Sequence, residues 1–285
     1  MEQAPQRFES RQSMCRNDFE IFHYREPKPG CVELHHHDFY EIYCFLGGNV
    51  EYRVEGKSYF LQTGDFLLIN PMELHQPIVM PESQVYERIV LWINRDYLTG
   101  LEQGNLPLTQ CFGSGRNNLL HPTGAQAEQI RTCLDALVRE HRGGGFGSEY
   151  YARGLFLQLM VELNRLSLPA VNEAEDTQPL SARVVAYISR HYRESLTLES
   201  IAQEFYISKY HLSHQFTQAT GVSVYRYLVM KRLQSARRHL LDGESPKTAF
   251  SASGFGDYAN FYRAFLSEYG VTPHTFAQQR QIETE

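Results

Sequence analysis

The sequence lacks the features that would place it in a membrane or outside the cell. No apolar run approaches the roughly 20 residues that a helix needs to span a bilayer, and the first residues carry no signal-peptide core. The five cysteines are widely spaced and form no C-x-x-C pair, which is typical of reduced thiols. These absences lead us to expect a cytoplasmic protein that has no disulfide framework and makes no membrane contact.

An overall excess of positive charge, the usual sign of a nucleic-acid-binding protein, is also missing, since the net charge is −6. The charge is uneven along the chain, however. Residues 1–180 hold 15 Lys and Arg against 24 Asp and Glu, a net −9, whereas residues 181–285 hold 12 against 9, a net +3. Only the C-terminal part therefore has the sign that contact with phosphate requires.

Two periodicities divide the 285 residues into domains. Residues 19–93 alternate apolar and polar residues in short bursts between glycine-bearing turns, which predicts a sandwich or a small barrel. Residues 124–166 change to a helical period, and three glycines at 143–145 separate two antiparallel helices. The polar, acidic and proline-bounded residues 169–179 are typical of a linker. We therefore predict a first domain over residues 1–168.

The last hundred residues contain a helix-turn-helix pattern that occurs twice. A shift of 49 residues superposes apolar, glycine and helix-capping positions of the two copies: Leu212 on Phe261, Phe216 on Phe265, Gly221 on Gly270 and Ser208 on Asp257. Serine and aspartate are both preferred N-cap residues. A duplicated unit that sets two helices side by side suits the reading of two stretches of DNA groove. We therefore predict an all-α DNA-binding domain over residues 180–285.

A long helix predicted over residues 224–241 connects the two copies. At 1.5 Å per residue it spans about 27 Å, and one turn of B-DNA measures roughly 34–36 Å. The connector is therefore of the right length to place two recognition helices in successive major grooves on one face of the duplex.

Residues on the outer faces of the two recognition helices are the candidate base readers. Apolar residues four apart should face the core, and this leaves a set of outward side chains: Tyr210, Ser213 and His214 in the first helix, and Tyr258, Ala259 and Arg263 in the second. Arginine is the commonest base reader, because its fork matches the O6 and N7 atoms of guanine. A single helix with such an outer face could equally be the solvent-exposed part of an ordinary helical bundle. Two such helices at a fixed spacing fit that alternative poorly.

Two motifs in the C-terminal domain match a known family. The second unit reads Gly254-Phe255-x-Asp257-x-x-x-Phe261-x-Arg263-x-Phe265-x-x-x-x-Gly270-Val271-x-Pro273, and the first runs from Ile201-Ala202 through Phe216 to Gly221. Residues 181–280 thereby resemble the DNA-binding domain of the AraC/XylS family of bacterial regulators. The resemblance implies a transcription regulator whose partners are double-stranded DNA and RNA polymerase. This chain departs from the family at Ala249 and Phe250, where a small residue precedes a large one and the family has the reverse order. Such an exchange can keep the total side-chain volume of the pair.

Histidines and acidic residues recur in the strand region. It carries His35-His36-His37-Asp38-Phe39-Tyr40-Glu41 and, further on, Gly64-Asp65 followed by Pro71 and His75. Residues 20–95 thereby resemble the two cupin motifs, which implies a cupin-like β-barrel at about 19–95. The positions that hold metal in metal-binding cupins are matched by His35, His37, Glu41 and His75. Strand alternation should send His35, His37 and Glu41 to one face and His36 to the other.

The two resemblances together imply a ligand-responsive regulator with a multi-domain α+β fold. Regulators of this layout use the barrel as an effector pocket without a required metal, and they often dimerise through the helical region, here about 124–166. Sugar-responsive members make a carbohydrate our first expectation for the small-molecule effector. Three imidazoles and a carboxylate would also suit a divalent metal such as zinc, iron, manganese or nickel.

The same four residues leave two other functions open. A metal-dependent cupin enzyme with oxygenase or isomerase chemistry could be fused to the DNA-binding domain, and it would need bound metal and turnover. A metal- or redox-sensing regulator would use the histidines directly. We favour a non-enzymatic transcription regulator that is controlled by an effector and acts as a homodimer.

Overall fold

The computed structural model describes residues 13–26, 32–81, 83, 85–102, 107–113, 117–143, 145–167 and 179–283. The chain divides into two compact units, Met1–Ala174 and Glu175–Glu285. The predicted linker at 169–179 lies outside the described residues except for Pro179. Within the described ranges, no helix is both long enough and apolar enough to cross a membrane.

The N-terminal unit is built around two antiparallel sheets. Its strands are β1 (Phe19–Glu26), β2 (Tyr40–Gly47), β3 (Val50–Val54), β4 (Lys57–Phe60), β5 (Phe66–Ile69), β6 (His75–Val79), β7 (Tyr86–Ile93) and β8 (Leu119–Leu120). The larger sheet has the order β1-β7-β2-β5-β8, and the smaller one has the order β4-β3-β6. The β-rich N-terminal part of the predicted fold class is thereby confirmed.

The predicted cupin-like barrel is not closed, because the described strands form two separate sheets. The register between β2 and β7 shifts between Phe45 and Gly47, and the chain then turns through Gly48, whose φ is +126°. A Cβ at Gly48 would lie 2.8 Å from the carbonyl oxygen of Val85. After this tight corner, β3 pairs with β4 and β6 instead of continuing the larger sheet.

Alternation along the strands of the larger sheet supplies two apolar faces. On β7, Leu91 and Ile93 belong to the core beneath the helices, whereas Val90 and Trp92 belong to the core shared with the smaller sheet. Both faces of β7 are thus covered by other parts of the unit, and its sequence is accordingly apolar along most of its length. We call the core between the two sheets, which is rich in aromatic residues, the inter-sheet core.

Helices cover the outer face of the larger sheet. They are α1 (Arg95–Gly100), a 3-10 helix (Leu108–Phe112), α2 (Gly124–Arg142) and α3 (Ser148–Ser167). Helices α2 and α3 form the helical pair that the sequence predicts, and their buried residues join the apolar side chains of β1, β2, β5 and β7 in one core. The ring of Phe156 on α3 stacks on that of Phe19 on β1 at a centroid distance of 4.7 Å.

The C-terminal unit is all-helical in its described part, as predicted. Its helices are α4 (Leu180–His191), α5 (Leu198–Glu204), α6 (Lys209–Thr220), α7 (Val224–Leu241), α8 (Pro246–Ala252), α9 (Tyr258–Tyr269) and α10 (Pro273–Glu283). The pairs α5–α6 and α8–α9 are the two helix-turn-helix units, and α7 connects them over the residues that the sequence indicates.

The two recognition helices, α6 and α9, begin and end in the same way. The side chains of Ser208 and Asp257 each accept a hydrogen bond from the backbone amide three residues further on. Gly221 and Gly270 close the helices in the left-handed conformation, with φ of +78° and +73°. The predicted N-caps are therefore confirmed, and the repeat is one of structure as well as of sequence.

A close backbone contact joins the second helix-turn-helix unit to the residues after α4. Gly254, in the turn between α8 and α9, has a φ of +82°, and a Cβ there would lie 2.6 Å from both the Cα of Arg193 and the carbonyl oxygen of Tyr192. In addition, Arg232 on α7 donates hydrogen bonds to the carbonyl oxygens of Tyr192 (2.8 Å) and Glu194 (2.7 Å). The segment after α4 is thus fixed between α7 and this turn.

We predict that Gly254→Ala destabilises the C-terminal unit much more than Gly243→Ala. The two glycines have φ of +82° and +83°, so each alanine adds about 1–2 kcal/mol of left-handed strain. At Gly243 the new Cβ has open space, whereas at Gly254 it meets backbone atoms, and overpacking adds about 1–3 kcal/mol. Urea denaturation followed by far-ultraviolet circular dichroism measures both losses, with Gly256→Ala, another open position, as the control. Equal losses at 243 and 254 would contradict the close contact.

Candidate functional site

Four side chains singled out in the sequence lie together in the interior of the N-terminal unit. His35, His37, Glu41 and His75 are at most 6% exposed. Ligand atoms of His37, Glu41 and His75 all lie within 4.8 Å of one another, and the ring of His35 lies 4.2 Å from that of His75. The structure thus brings all four together, and we call them the histidine cluster.

The segment before β2, which carries His35 and His37, is not a regular strand. Residues 32–39 contain a single β-bridge, in which His35 pairs with His75 at the start of β6. Two backbone hydrogen bonds, of 3.1 and 2.9 Å, join these two residues in both directions. Strand alternation is therefore the wrong reason for the common side of His35 and His37, because the bridge and not a continuous strand positions them.

Backbone carbonyl groups orient all three imidazoles of the cluster. The Nδ1 atoms of His35, His37 and His75 lie 2.9, 3.0 and 2.8 Å from a carbonyl oxygen two residues away along the chain. A carbonyl oxygen only accepts hydrogen bonds, so each Nδ1 carries a proton and donates it. The Nε2 atom of a neutral ring then offers a lone pair.

Glu41 is the acidic member of the cluster and has partners at both carboxylate oxygens. Trp92 donates from Nε1 to Oε2 over 2.9 Å, His37 Nε2 lies 3.2 Å from the same oxygen, and the Tyr52 hydroxyl donates to Oε1 over 3.5 Å. Burial raises the pKa of Glu41, but the contacts with His37, together with the Trp92 hydrogen bond, outweigh burial and leave that pKa below its ordinary value. The side chain is therefore an ionised carboxylate in the protein interior.

Burial has the opposite consequence for two of the histidines. Burial, aided by the nearby His37, lowers the pKa of His35 to about 4. Burial and the two neighbouring cluster histidines lower the pKa of His75 well below its ordinary value. Both rings are therefore neutral near pH 7. The Nε2 atom of His75 is buried and has no hydrogen-bond partner among the described residues.

Aromatic rings flank the cluster within the inter-sheet core. His37 stacks on Phe39 at 3.9 Å, Phe39 lies 4.8 Å from Trp92, and Trp92 lies 4.8 Å from Phe22, all measured between ring centroids. Trp92 is the only tryptophan of the chain. Trp92 therefore belongs to the row of aromatic rings beside the cluster, and its Nε1 hydrogen bond also holds the carboxylate of Glu41 in place.

A second charged group borders the inter-sheet core, and no motif indicates it. The guanidinium of Arg88 lies 4.1 Å from the ring of Tyr86 and 4.7 Å from that of Tyr24, and it donates to Glu26 over 3.1 Å. The usable signal in the sequence is the period of two along β7, which puts Arg88 on the same face as Tyr86 and Trp92.

The candidate base-reading residues of α6 differ in exposure. Tyr210 is 81% exposed, His214 is also exposed, and their rings stack at a centroid distance of 6.2 Å. Ser213 is half-buried and not fully exposed as the sequence predicts. It lines a cleft together with the first residues of α5 and α7.

Tyr258, Ala259 and Arg263 are exposed on α9. Arg263 lies against its own helix, donating from Nη2 to the side chain of Asn260 over 2.6 Å and from Nε to the carbonyl oxygen of Ala259 over 3.3 Å. Phe250, the large residue of the exchanged pair, packs its ring 5.3 Å from that of Tyr258. The exchange therefore places an aromatic ring against Tyr258, and Asn260 and Ala259 hold the guanidinium of Arg263 against its own helix.

Both units match known proteins. Residues 16–160 match the family model described as the AraC-like ligand binding domain, and residues 201–279 match the model described as a helix-turn-helix domain. The HTH-type transcriptional activator RhaS of Escherichia fergusonii is 29% identical over 262 residues, covering 90% of this chain and 91% of that protein. RhaS of Salmonella paratyphi A is 29% identical over 252 residues, covering 86% and 87%.

Solved structures also show similarity to the chain. Unsaturated fatty acid-bound wild-type ToxT from Vibrio cholerae strain SCE256 is 14% identical, with a TM-score of 0.41, and the match covers 93% of this chain and 97% of that one. A protein of unknown function from Listeria innocua is 28% identical, with a TM-score of 0.35, over 36% of this chain and all of that one.

Proposed function

Because the chain belongs to the AraC family of transcription regulators, we propose that an effector bound beside the histidine cluster controls the action of its helix-turn-helix units on DNA. The chain is a DNA-binding transcription regulator with a ligand-binding domain. The observation that supports this place for the effector is the buried, ionised Glu41 among histidines in that domain. Burying a carboxylate is costly for stability, so such a cluster favours a binding role over a purely structural one.

A carbohydrate is the effector class that suits these surroundings. A sugar has hydroxyl groups that donate to carboxylates such as those of Glu41 and Glu26 and accept from Arg88. Its apolar ring face packs on aromatic rings such as that of Trp92. The relatives are named transcriptional activators, so we expect the effector to promote transcription by RNA polymerase. In this proposal the protein acts in the cytoplasm and has no catalytic activity.

We predict that the double substitution His37→Ala, Glu41→Ala abolishes the transcriptional response to the effector. The two side chains supply charge and hydrogen bonds to the proposed pocket, whereas the recognition helices belong to the other unit. A promoter fusion measures the response across a panel of sugars, and fluorescence anisotropy measures operator affinity without effector, which should not change. His23→Ala, which removes a histidine paired with Glu87 outside the cluster, is the control. A double variant that responds like the wild type would assign the cluster a structural role.

We further propose that α6 and α9 read two successive segments of the major groove. The two helices have the same length and equivalent caps, and α7 between them has 18 residues, or about 27 Å. The proposed contacts are Tyr210, Ser213 and His214 from α6, and Tyr258, Ala259 and Arg263 from α9. Among these side chains, Arg263 has the fork that matches guanine.

We predict that Arg263→Ala weakens operator binding by about 1–3 kcal/mol and relaxes the preference at one base pair. Tyr210→Ala and His214→Ala should instead affect a position about one helical turn away. Arg190→Ala removes an exposed charge from α4, outside both helix-turn-helix units, and should leave the base preference unchanged.

Binding to a series of operators with single base-pair changes, combined with footprinting, measures these effects. Two protected segments with separate sensitivities are expected. A single protected segment that Arg263→Ala leaves unchanged would exclude the two-groove arrangement.

An apolar stripe on α3 is the surface that we propose for homodimer formation. Tyr150, Leu157 and Val161 are exposed at helical spacing. Gly154 lies between them, and a Cβ there would meet nothing within 4 Å, so a second helix can approach closely. The opposite side of α3 is already buried through residues such as Phe156. The same stripe of a second copy, related by a two-fold axis, is a self-complementary partner for it.

We predict a homodimer at micromolar concentration that Leu157→Lys converts into a monomer, because an unpaired charge cannot be buried in the stripe without a large cost. Gln158→Lys adds the same charge at the next exposed position, beside the stripe, and should leave the dimer intact. Multi-angle light scattering of the full chain measures both variants. A wild-type chain that stays monomeric with and without effector would count against this surface.

A further inference from the structure

We propose that Asn260 is a positioning residue for Arg263. Asn260 holds one edge of the guanidinium, so that the outer fork of the arginine faces the DNA and selects guanine. The inference deepens the proposed reading of the major groove by α9 and rests on it. Asn260 is a variable position of the sequence motif and is not among the proposed base contacts.

The guanidinium of Arg263 is held along one edge by its own helix. Its Nη2 donates to Oδ1 of Asn260 over 2.6 Å, and its Nε donates to the carbonyl oxygen of Ala259 over 3.3 Å. Because a guanidinium has no acceptor, the atom of the Asn260 amide that faces it has to be the oxygen. Nε and Nη2 lie on the same edge of the planar group, so both contacts engage that edge.

The outer end of the guanidinium keeps the fork that a base requires. Of the five N–H groups of an arginine, the two contacts use one on Nε and one on Nη2. The outward hydrogens of Nη1 and Nη2 then form a parallel pair, which matches the O6 and N7 atoms of guanine. Arg263 can therefore donate to a guanine while both contacts with its own helix remain. A side chain that is oriented beforehand also loses less rotamer freedom on binding.

The backbone around Asn260 is fixed as well. Its amide donates to the side chain of Asp257, the N-cap of α9, over 2.8 Å, and the next residue, Phe261, is fully buried. The exposed side chain of Asn260 comes three positions before Arg263, and residues three apart are neighbours on a helix surface. The helix itself therefore sets the orientation of the pair, before any DNA is bound.

An asparagine in a recognition helix can also read adenine directly, but Asn260 is not placed for that contact. The bidentate contact with adenine needs both the oxygen and the amino group of the side chain, and the oxygen of Asn260 already accepts from Arg263. The equivalent positions of the first unit are His211 and His214, and α6 contains no arginine. A guanine held by an arginine fork is therefore expected only in the segment that α9 contacts.

Two substitutions of Asn260 should have opposite effects. Asn260→Ala frees the guanidinium to turn towards a phosphate. The preference for G·C over A·T at the base pair that Arg263 reads should then fall about 5- to 10-fold, within the range of coupled neighbours, while affinity for DNA in general changes little. Asn260→Asp keeps an oxygen at the same place, so the preference should stay. Its carboxylate repels phosphates, so affinity should fall by a similar factor for every duplex.

Fluorescence anisotropy of the full chain measures both effects. The probe is a duplex that the wild-type chain selects from a randomised library, together with its single base-pair variants. The base pair that Arg263 reads is the one whose exchange Arg263→Ala no longer senses. His211→Ala, at the equivalent position of α6, is the matched control and should leave the preference there unchanged. Alanine is a better helix former than asparagine, so Asn260→Ala should keep α9 folded, which circular dichroism checks.

A double-mutant cycle separates positioning from direct contact. In the Arg263→Ala background, Asn260→Ala should change no base preference further, because nothing is left to position. A folded Asn260→Ala variant with the wild-type preference would overturn the proposal. So would a loss that persists without Arg263, since Asn260 then contacts a base itself, or a loss of the preference in Asn260→Asp. Failure of the proposed function gives a different result, because Arg263→Ala itself then leaves every preference unchanged.

Discussion

The interior of the N-terminal unit depends on one buried carboxylate. Glu41 lies on β2 and accepts hydrogen bonds from Trp92 on β7, in the same sheet, and from Tyr52 on β3, in the other sheet. His37 contacts it from the segment before β2. Because an ionised group in an apolar interior must be compensated on all sides, each of these neighbours has a fixed position. The two sheets are therefore held together by hydrogen bonds to one buried charge as well as by apolar packing.

The helical part of the molecule could be predicted in detail because its signals are local. N-cap residues such as Ser208 and Asp257, closing glycines and the 3.6-residue period all act within a few residues. The arrangement of the strands depends on pairing between distant segments and on one tight corner at Gly48. The strand pattern is compatible with both a barrel and a sandwich, and the barrel that the cupin resemblance implied is not closed, since the described strands form two sheets.

The candidate site could be predicted only where a motif names its residues. The histidine cluster was found in this way, although a β-bridge and not strand alternation brings His35 to His75. Trp92 and Arg88 belong to no motif, and their roles depend on which strand lies opposite. The half-buried Ser213 shows the same limit in the other unit, because helical periodicity does not tell where α5 and α7 pack.

Backbone packing at Gly254 bears on how the proposed two-groove contact with DNA is made. The contact with Tyr192 and Arg193 leaves no room for a side chain at Gly254, and α7 joins the two helix-turn-helix units as one continuous helix. The turn before α9 is therefore held against the segment after α4 by backbone packing. In the proposed two-groove arrangement, α7 spans about 27 Å and one turn of B-DNA roughly 34–36 Å, and a duplex that bends slightly towards the protein would take up the difference. In that arrangement, base pairs that the protein never touches would influence affinity through their stiffness, and flexible pyrimidine–purine steps between the two contacted segments would favour binding.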